Sequence, residues 1–377
     1  MAELMQKPVR SAPEGNSLRV LLVGDSEIVG ARVHTALDRL PDIEVTAQVI
    51  DGIAAVSAIR VRVFDAIVLD IGHGESNLKV TITRLLKVDP YARIIMVASL
   101  SFANVKASML GLMEGAAEFI PTPATHTKTK SETEFNTRLA SVIRAFGRTE
   151  RDLAGPAAAP ATVIAPPKSK PPVIEKFALR PINRMKPDAL IVGSSTGGPQ
   201  ALFAFLASLP PNIDIPILIT QHMPAAFTAL LASHISSHGA IDCREGVNGE
   251  EIVGGRAYIA PGAFHMRAVS VGGNSTIKIS QEAPINYCRP SVDPMFESAA
   301  ETYRGRVIGV ILTGMGSDGL DGSQCVVDAG GMVIAQDEES CVVWGMPRAV
   351  SEAGICSAIL PLDDLGPFVS GFLKSDW

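Results

Sequence analysis

The sequence has no excess of basic residues, no C-x-x-C pair and no long apolar run. Its 33 Lys and Arg against 39 Asp and Glu leave a net charge of −6, so the chain carries no electrostatic footprint for nucleic acid, and no nucleic-acid module is recognisable in it. Apolar stretches are broken within about ten positions, short of the roughly 20 needed to span a bilayer, so no membrane insertion is expected. The opening stretch from Met1 to Pro8 lacks the apolar centre of a secretory signal. The five cysteines, Cys243, Cys288, Cys325, Cys341 and Cys356, all lie in the C-terminal half without zinc-site or disulfide spacing, which points to reduced thiols in a cytoplasmic protein. A Cys-His protease is disfavoured because Cys288 and Cys341 stand beside no glycine-rich turn. Neither G-x-x-x-x-G-K-[ST] nor a clean G-x-G-x-x-G occurs, which weakens a nucleotide-binding reading of the glycine-rich turns that are present.

What is there suffices for more than one core: 377 residues, 47% of them hydrophobic. Between Leu153 and Pro187 the composition shifts to Ala and Pro, including Ala157-Ala158-Ala159-Pro160 and Pro166-Pro167, which suits an extended tether and neither helix nor central strand. The end of that stretch, Phe177 to Met185, has apolar residues able to dock on a domain. The expected organisation is a disordered extension over 1–17, a first domain over 18–147, a Pro/Ala-rich linker over 148–185 and a second domain over 186–377.

In the second domain, three runs each end an apolar strand pattern on a polar residue. They are Gly193-Ser194-Ser195-Thr196-Gly197-Gly198, Gln221-His222-Met223-Pro224 and Gly314-Met315-Gly316-Ser317-Asp318-Gly319. A serine hydroxyl attacks a carbonyl only if an imidazole removes its proton, and that imidazole needs a carboxylate to hold its tautomer. Ser195, His222 and Asp318 fit these roles. The strand-to-helix turn around Ser195 resembles a nucleophile elbow, although the order Ser, His, Asp differs from that of α/β-hydrolases. The N–H of Met315 is a candidate oxyanion donor, and Thr196 is either transition-state support or a helix cap. His265 is expected to be structural or substrate-lining, Arg289 and Asp293 a structural pair or cap, and Arg348 a solvated charge or a contact for an anionic surface.

These runs, with Tyr258-Ile259-Ala260-Pro261-Gly262, Arg289-Pro290-Ser291-Val292-Asp293 and Gly345-Met346-Pro347-Arg348, closely resemble the catalytic domain of the chemotaxis protein-glutamate methylesterase family, CheB, over residues 186–375. The resemblance implies a serine esterase that hydrolyses γ-glutamyl methyl esters on chemoreceptors, releasing methanol, with deamidation of receptor glutamines as a related activity. It places the triad on Ser195, His222 and Asp318 and implies methylated chemoreceptors as partners, with the chemotaxis histidine kinase as a further candidate. The esterase chemistry calls for no cofactor.

Before the linker, apolar strands alternate with helical patterns: Arg19 to Val23, Asp65 to Leu69, Arg93 to Val97 and Glu118 to Ile120, with helices such as Val29 to Leu40, Asn104 to Met113 and Phe135 to Phe146. The fold expected is α/β throughout: a five-stranded doubly wound domain, then a doubly wound, mainly parallel domain. The first resembles a response-regulator receiver. That likeness makes Asp70 the phosphoacceptor candidate, with Mg²⁺ held by Asp25 and Asp70. However, Gly24 replaces the second N-terminal acid, Ala98 the switch hydroxyl and Thr122 the lysine, and Ser99 stands one residue late. A degenerate receiver that acts by binding is the rival reading. For the whole chain, a nucleotide-binding α/β module and a non-enzymatic two-component scaffold are the alternatives to an esterase.

Overall fold

The computed structural model describes residues 17–72, 77–123, 130–154, 177–238 and 241–373, which fall into two compact units divided at Arg148/Thr149. The expected N-terminal extension, apart from Ser17, and the linker residues 155–176 lie outside the described residues.

The first unit alternates strand and helix without interruption: β1 Leu18–Val23, α1 Glu27–Leu37, β2 Ile43–Val49, α2 Gly52–Val61, β3 Ala66–Asp70, α3 Leu78–Val88, β4 Ile94–Ala98, α4 Phe102–Met113, β5 Glu118–Pro121 and α5 Lys130–Ala154. The sheet order is β2-β1-β3-β4-β5, all parallel. Strands β3 and β4 are buried along their whole length, as unbroken apolar runs in the middle of a parallel sheet must be. Ser26, Asp51 and Ser101 cap α1, α2 and α4 by accepting backbone N–H groups of Val29, Ala54 and Asn104. The closing helix runs well beyond the expected Phe135–Phe146, because its sequence stays free of proline until Pro156.

The second unit comprises β6 Ala189–Ser194, α6 Gly198–Ala207, β7 Ile217–Gln221, α7 Ala225–His238, β8 Asp242–Glu245, β9 Arg256–Ile259, β10 His265–Val271, β11 Asn274–Ser280, α8 Val292–Thr302, β12 Val307–Ile311, α9 Leu320–Asp328, β13 Met332–Gln336, α10 Met346–Glu352, β14 Ala358–Leu360 and α11 Leu362–Leu373. Seven parallel strands form one sheet in the order β14-β13-β12-β6-β7-β9-β8, and β10 and β11 make a separate antiparallel hairpin. Helix α8 packs over the sheet through Val292, Met295, Phe296 and Ala299, all fully buried. Upstream of β6, the end of the expected linker lies on this unit: the Phe177 ring meets Trp344 at 5.7 Å, Arg180 N–H donates to Cys356 O and Asn183 Nδ2 to Gly330 O.

The chain leaves β6 for β7 on one side and returns to β12 on the other. The crevice above the carboxyl ends of β12, β6 and β7 is therefore a topological switch point, where open α/β sheets place their ligands. Register sets the three loops at one height, with Ser194 opposite Gln221 and Gly193 opposite Ile311.

Candidate active site

Ser195 occupies the turn between β6 and α6 and is 3% exposed. The turn closes with Gly198 N–H donating to Ser195 O at 2.7 Å, while Ser195 N–H donates to Thr313 O at 3.0 Å. Gly197 sits at φ +76°, and a Cβ there would meet the Val342 side chain at 2.5 Å, so both the backbone conformation and the space require glycine. From the neighbouring strand end, Gln221 clamps the turn: its Nε2 donates to Ser195 O at 2.9 Å and its Oε1 accepts the Ser194 hydroxyl at 2.6 Å.

His222 follows Gln221, and its Nε2 lies 2.7 Å from Asp318 Oδ2. Asp318, 2% exposed, stands between β12 and α9. Besides the imidazole it accepts the Ser291 hydroxyl at 2.6 Å, the Val292 N–H at 2.7 Å and Asn286 Nδ2 at 3.1 Å. The carboxylate thus rests on the first N–H of α8, where a helix favours negative charge. Burial pushes Asp318 up, but the hydrogen bond and charge of His222, with the Ser291 and Val292 donors, hold it below the usual carboxylate range. For His222, burial pulls the ring down, and the bonds to Asp318 and Cys288 outweigh it, raising it to about 9.

With Nε2 committed to Asp318, Nδ1 is the nitrogen left to act as base. It faces Cys288 Sγ at 3.5 Å, and among the described residues no hydrogen bond joins the Ser195 hydroxyl to the ring. The thiol holds the position that the serine proton must take during attack. Cys288 was set aside at the sequence level for want of a glycine-rich turn; a hairpin 66 residues from His222 brings it in. Cys243 and Cys356 are buried away from this site, and burial pushes each up to about 12.

Gly314 lies against the nucleophile: a Cβ on it would meet Ser195 Cβ at 2.8 Å and Met346 Sδ at 2.4 Å. The next N–H, that of Met315, donates to no acceptor among the described residues, which leaves it available to an oxyanion. Thr196 is buried in the same turn, and its carbonyl accepts the Thr313 hydroxyl at 3.0 Å.

One expectation changes in detail, and for the other polar residues the structure supplies the partners. Arg289 does not pair with Asp293; its guanidinium donates to the carbonyls of Gln281 and Glu282. Asp293 instead accepts Gly322 N–H at 2.8 Å in the first turn of α9, and Asn286 Nδ2 at 2.8 Å. Burial, reinforced by the charge of Asp318 and opposed by the Gly322 N–H, raises Asp293 to about 7. His265 is fully buried and braces the site from behind, its Nδ1 accepting Ser291 N–H and its Nε2 donating to Ala283 O. Arg348 bonds Glu352 one turn along α10 and covers the Trp344 ring.

Among the described residues, His222, Cys288 and Asp318 are the one group of three or more potential metal donors close enough to share an ion. Both oxygens of Asp318 are already taken by hydrogen bonds and the imidazole stands between carboxylate and thiol, an arrangement that suits proton transfer. In the first unit, Asp70 ends β3, is 7% exposed and accepts Gly72 N–H at 2.9 Å, while Asp25 is exposed on the loop after β1. Gly24, at φ +145°, presses against Asp70, where a Cβ would lie 2.7 Å from Asp70 Cβ. Ala98 and Thr122 are buried, and Ser99 is held by Asn104 Nδ2. Among the described residues, the loop after β1 offers a magnesium ion beside Asp70 one acid, Asp25, with Gly24 in the adjoining position, so the pair of carboxylates Asp25 and Asp70 would hold such an ion with water and phosphate filling its other positions.

Residues 190–369 match the family model described as CheB methylesterase. A protein-glutamate methylesterase/protein-glutamine glutaminase of Azospirillum brasilense is 43% identical over 376 residues, covering 96% of this chain and 94% of its own. A second protein of that name, from a group 2 operon of Rhodospirillum centenum, is 42% identical, covering 95% of each chain. The CheB methylesterase catalytic domain of Thermotoga maritima is 40% identical over 49% of this chain and 98% of its own, with a TM-score of 0.48. With this identity maintained along nearly the whole chain, and the strand-end serine, histidine and aspartate in one crevice, the chain belongs to the protein-glutamate methylesterase/protein-glutamine glutaminase family.

Proposed function

We propose that the protein hydrolyses γ-glutamyl methyl esters of chemoreceptors to glutamate and methanol, and deamidates receptor glutamines, through Ser195, His222 and Asp318. The observation that carries this reading is the His222–Asp318 bond of 2.7 Å, made to a buried carboxylate that three other donors hold in place beside the serine turn. Ser195 Oγ attacks the ester carbonyl as His222 Nδ1 takes its proton, displacing Cys288 from that nitrogen. Asp318 holds Nε2–H and stabilises the imidazolium. The Met315 N–H, with support from Thr196, receives the oxyanion. The imidazolium then protonates the departing methoxide oxygen, or in the amide reaction the departing amide nitrogen, which leaves as ammonia. Water, deprotonated by Nδ1, hydrolyses the glutamyl ester of Ser195.

A nucleotide-binding role, in which the glycine-rich turn before α6 would cradle a phosphate, is disfavoured because that turn carries neither phosphate-binding glycine motif. A purely scaffolding role predicts wild-type behaviour for Ser195→Ala. The test is methanol release from methylated receptor membranes: Ser195→Ala should abolish it with thermal stability unchanged, and equal release by the two proteins would overturn the assignment.

The first unit we read as a receiver that regulates the esterase by binding, with any involvement of the chemotaxis kinase following from that contact. Gly24, Ala98 and Thr122 support this reading over a phosphate switch. Stable phosphoryl labelling of Asp70 that raises esterase activity would refute it. Among the described residues no helix is long and apolar enough to cross a membrane, and a substrate of this class implies work in the cytoplasm.

A further inference from the structure

Between β11 and α8 the chain makes a two-residue hairpin, with Ile285 N–H donating to Cys288 O at 3.1 Å and Cys288 N–H to Ile285 O at 2.8 Å. Its two central residues both have positive φ, +51° at Asn286 and +62° at Tyr287. This is the primed turn in which the second position is ordinarily glycine, because a Cβ there crowds the backbone. A tyrosine in that position is sterically disfavoured, and among the described residues no hydrogen bond or ring contact offsets it. Its ring is fully exposed, at 103%, and the hydrogen bonds and ring contacts of the unit do not include it. Among the described residues of the second unit it is the one exposed aromatic side chain.

The residues on either side explain why the hairpin stays put. Asn286 Nδ2 donates to Asp318 Oδ1 and to Asp293 Oδ2, and Cys288 Sγ faces His222 Nδ1. The tyrosine therefore projects from a turn bolted on both sides to the catalytic residues. The exposed residues nearest the other site loops are small: Pro224, Ala225 and Ala226 after His222, and Gly316 and Ser317 before Asp318. A large substrate approaching this rim meets, in the Tyr287 ring, the one exposed aromatic side chain among the described residues of the unit.

We infer that Tyr287 is a specificity-determining residue that docks the polypeptide carrying the esterified side chain, its ring packing on the apolar surface beside the glutamyl ester. This rests on the methylesterase reading. A small ester needs only the groups around Ser195, whereas a protein substrate also presents surface to the rim, and a rigid aromatic with a polar tip is the side chain that most often anchors such contacts.

The test compares wild type, Tyr287→Gly and Tyr287→Phe on methylated receptor membranes and on a small activated ester. Glycine suits the turn, so the fold is not at risk. Tyr287→Gly should lower kcat/KM for the receptor by about tenfold or more, chiefly through KM. The small ester should stay within about twofold, and Tyr287→Phe close to wild type, because the binding contact and not the chemistry has changed. Unchanged receptor kinetics would overturn the inference. So would an equal fall on both substrates, which would make the ring a support for the triad. A rise on both would instead make it an internal brake. If wild type cleaves the small ester through Ser195 yet releases no methanol from receptors, the methylesterase reading fails and this inference with it.

Discussion

Replacing Asp318 by asparagine keeps the shape of the side chain and removes its charge. In the wild type the bonds to Asp318 and Cys288 outweigh burial and lift His222 from 6.5 to about 9, which corresponds to about 3 kcal/mol of added stabilisation of the imidazolium. Imidazolium is what His222 becomes during attack, so this stabilisation enters the rate. In Asp318→Asn the carbonyl oxygen can still face Val292 N–H and His222 while the amide turns toward the Ser291 hydroxyl and gives up the bond from Asn286 Nδ2, which keeps the tautomer and removes the charge. The ring then falls toward its ordinary value, since the Cys288 contact is the raising contribution that remains. At pH 7 the wild-type ring is mostly protonated and forgoes roughly a factor of 100 in free base, which the variant regains. Above pH 9 both rings are neutral and only the lost stabilisation remains. The assay is methanol release from about pH 6 to pH 10, with thermal unfolding at each pH to verify the fold. The wild-type rate should climb between pH 7 and 9, the variant should level off at a lower pH, and its plateau should lie about 10²–10³ lower. A folded variant within about tenfold of the wild-type plateau would refute the role given to Asp318.

Gly314→Ala would drive a methyl group into Ser195 Cβ and Met346 Sδ, and methanol release should fall by about tenfold or more while circular dichroism stays native, since misplacing the nucleophile by a fraction of an ångström suffices. Asp293 rises to about 7 in the fold, so its charge opposes folding increasingly from the ordinary carboxylate range up to pH 7 and fully above it. Asp293→Asn should therefore raise Tm more at pH 8 than at pH 5, by about 2–4 °C per kcal/mol relieved; calorimetry showing equal shifts would contradict this. The His222 contribution has the opposite sense, present below 6.5 and lost as pH rises through about 9, so wild-type Tm should drop across that window more than that of Asp318→Asn. Gly24→Asp should not restore an acid pair, because its Cβ would meet Asp70 Cβ at 2.7 Å at φ +145°; incubation with a labelled phosphodonor and Mg²⁺ should leave Asp70 unlabelled, and a gain of label would refute the packing argument.

The central strands were legible because β3, β4, β6 and β12 are buried on both faces, and such strands read as short unbroken apolar runs. The β10–β11 hairpin was not, since its alternating, partly exposed residues give no comparable run. Ser195, His222 and Asp318 could be picked out because each ends a strand in a turn whose glycines and prolines are visible locally. Gln221 and Ser291 stood inside recognised runs without a role, since an amide or hydroxyl shows its importance only when its partners are known. Asn286 and Cys288 carried no local signal at all.

By itself the sequence determined which chemical groups the protein has and where its strands end, because both depend on residues adjacent in the chain. It also placed Gly24, Ala98 and Thr122 where the receiver likeness leads one to expect an acid, a hydroxyl and a lysine. Only the tertiary structure decided which imidazole nitrogen meets the carboxylate, that a thiol faces the other, and that the carboxylate itself sits on the first N–H of α8. Those relations join residues 26 to 96 positions apart, and they arise from the order β12-β6-β7, which brings three strand ends and one helix N-terminus into a single crevice.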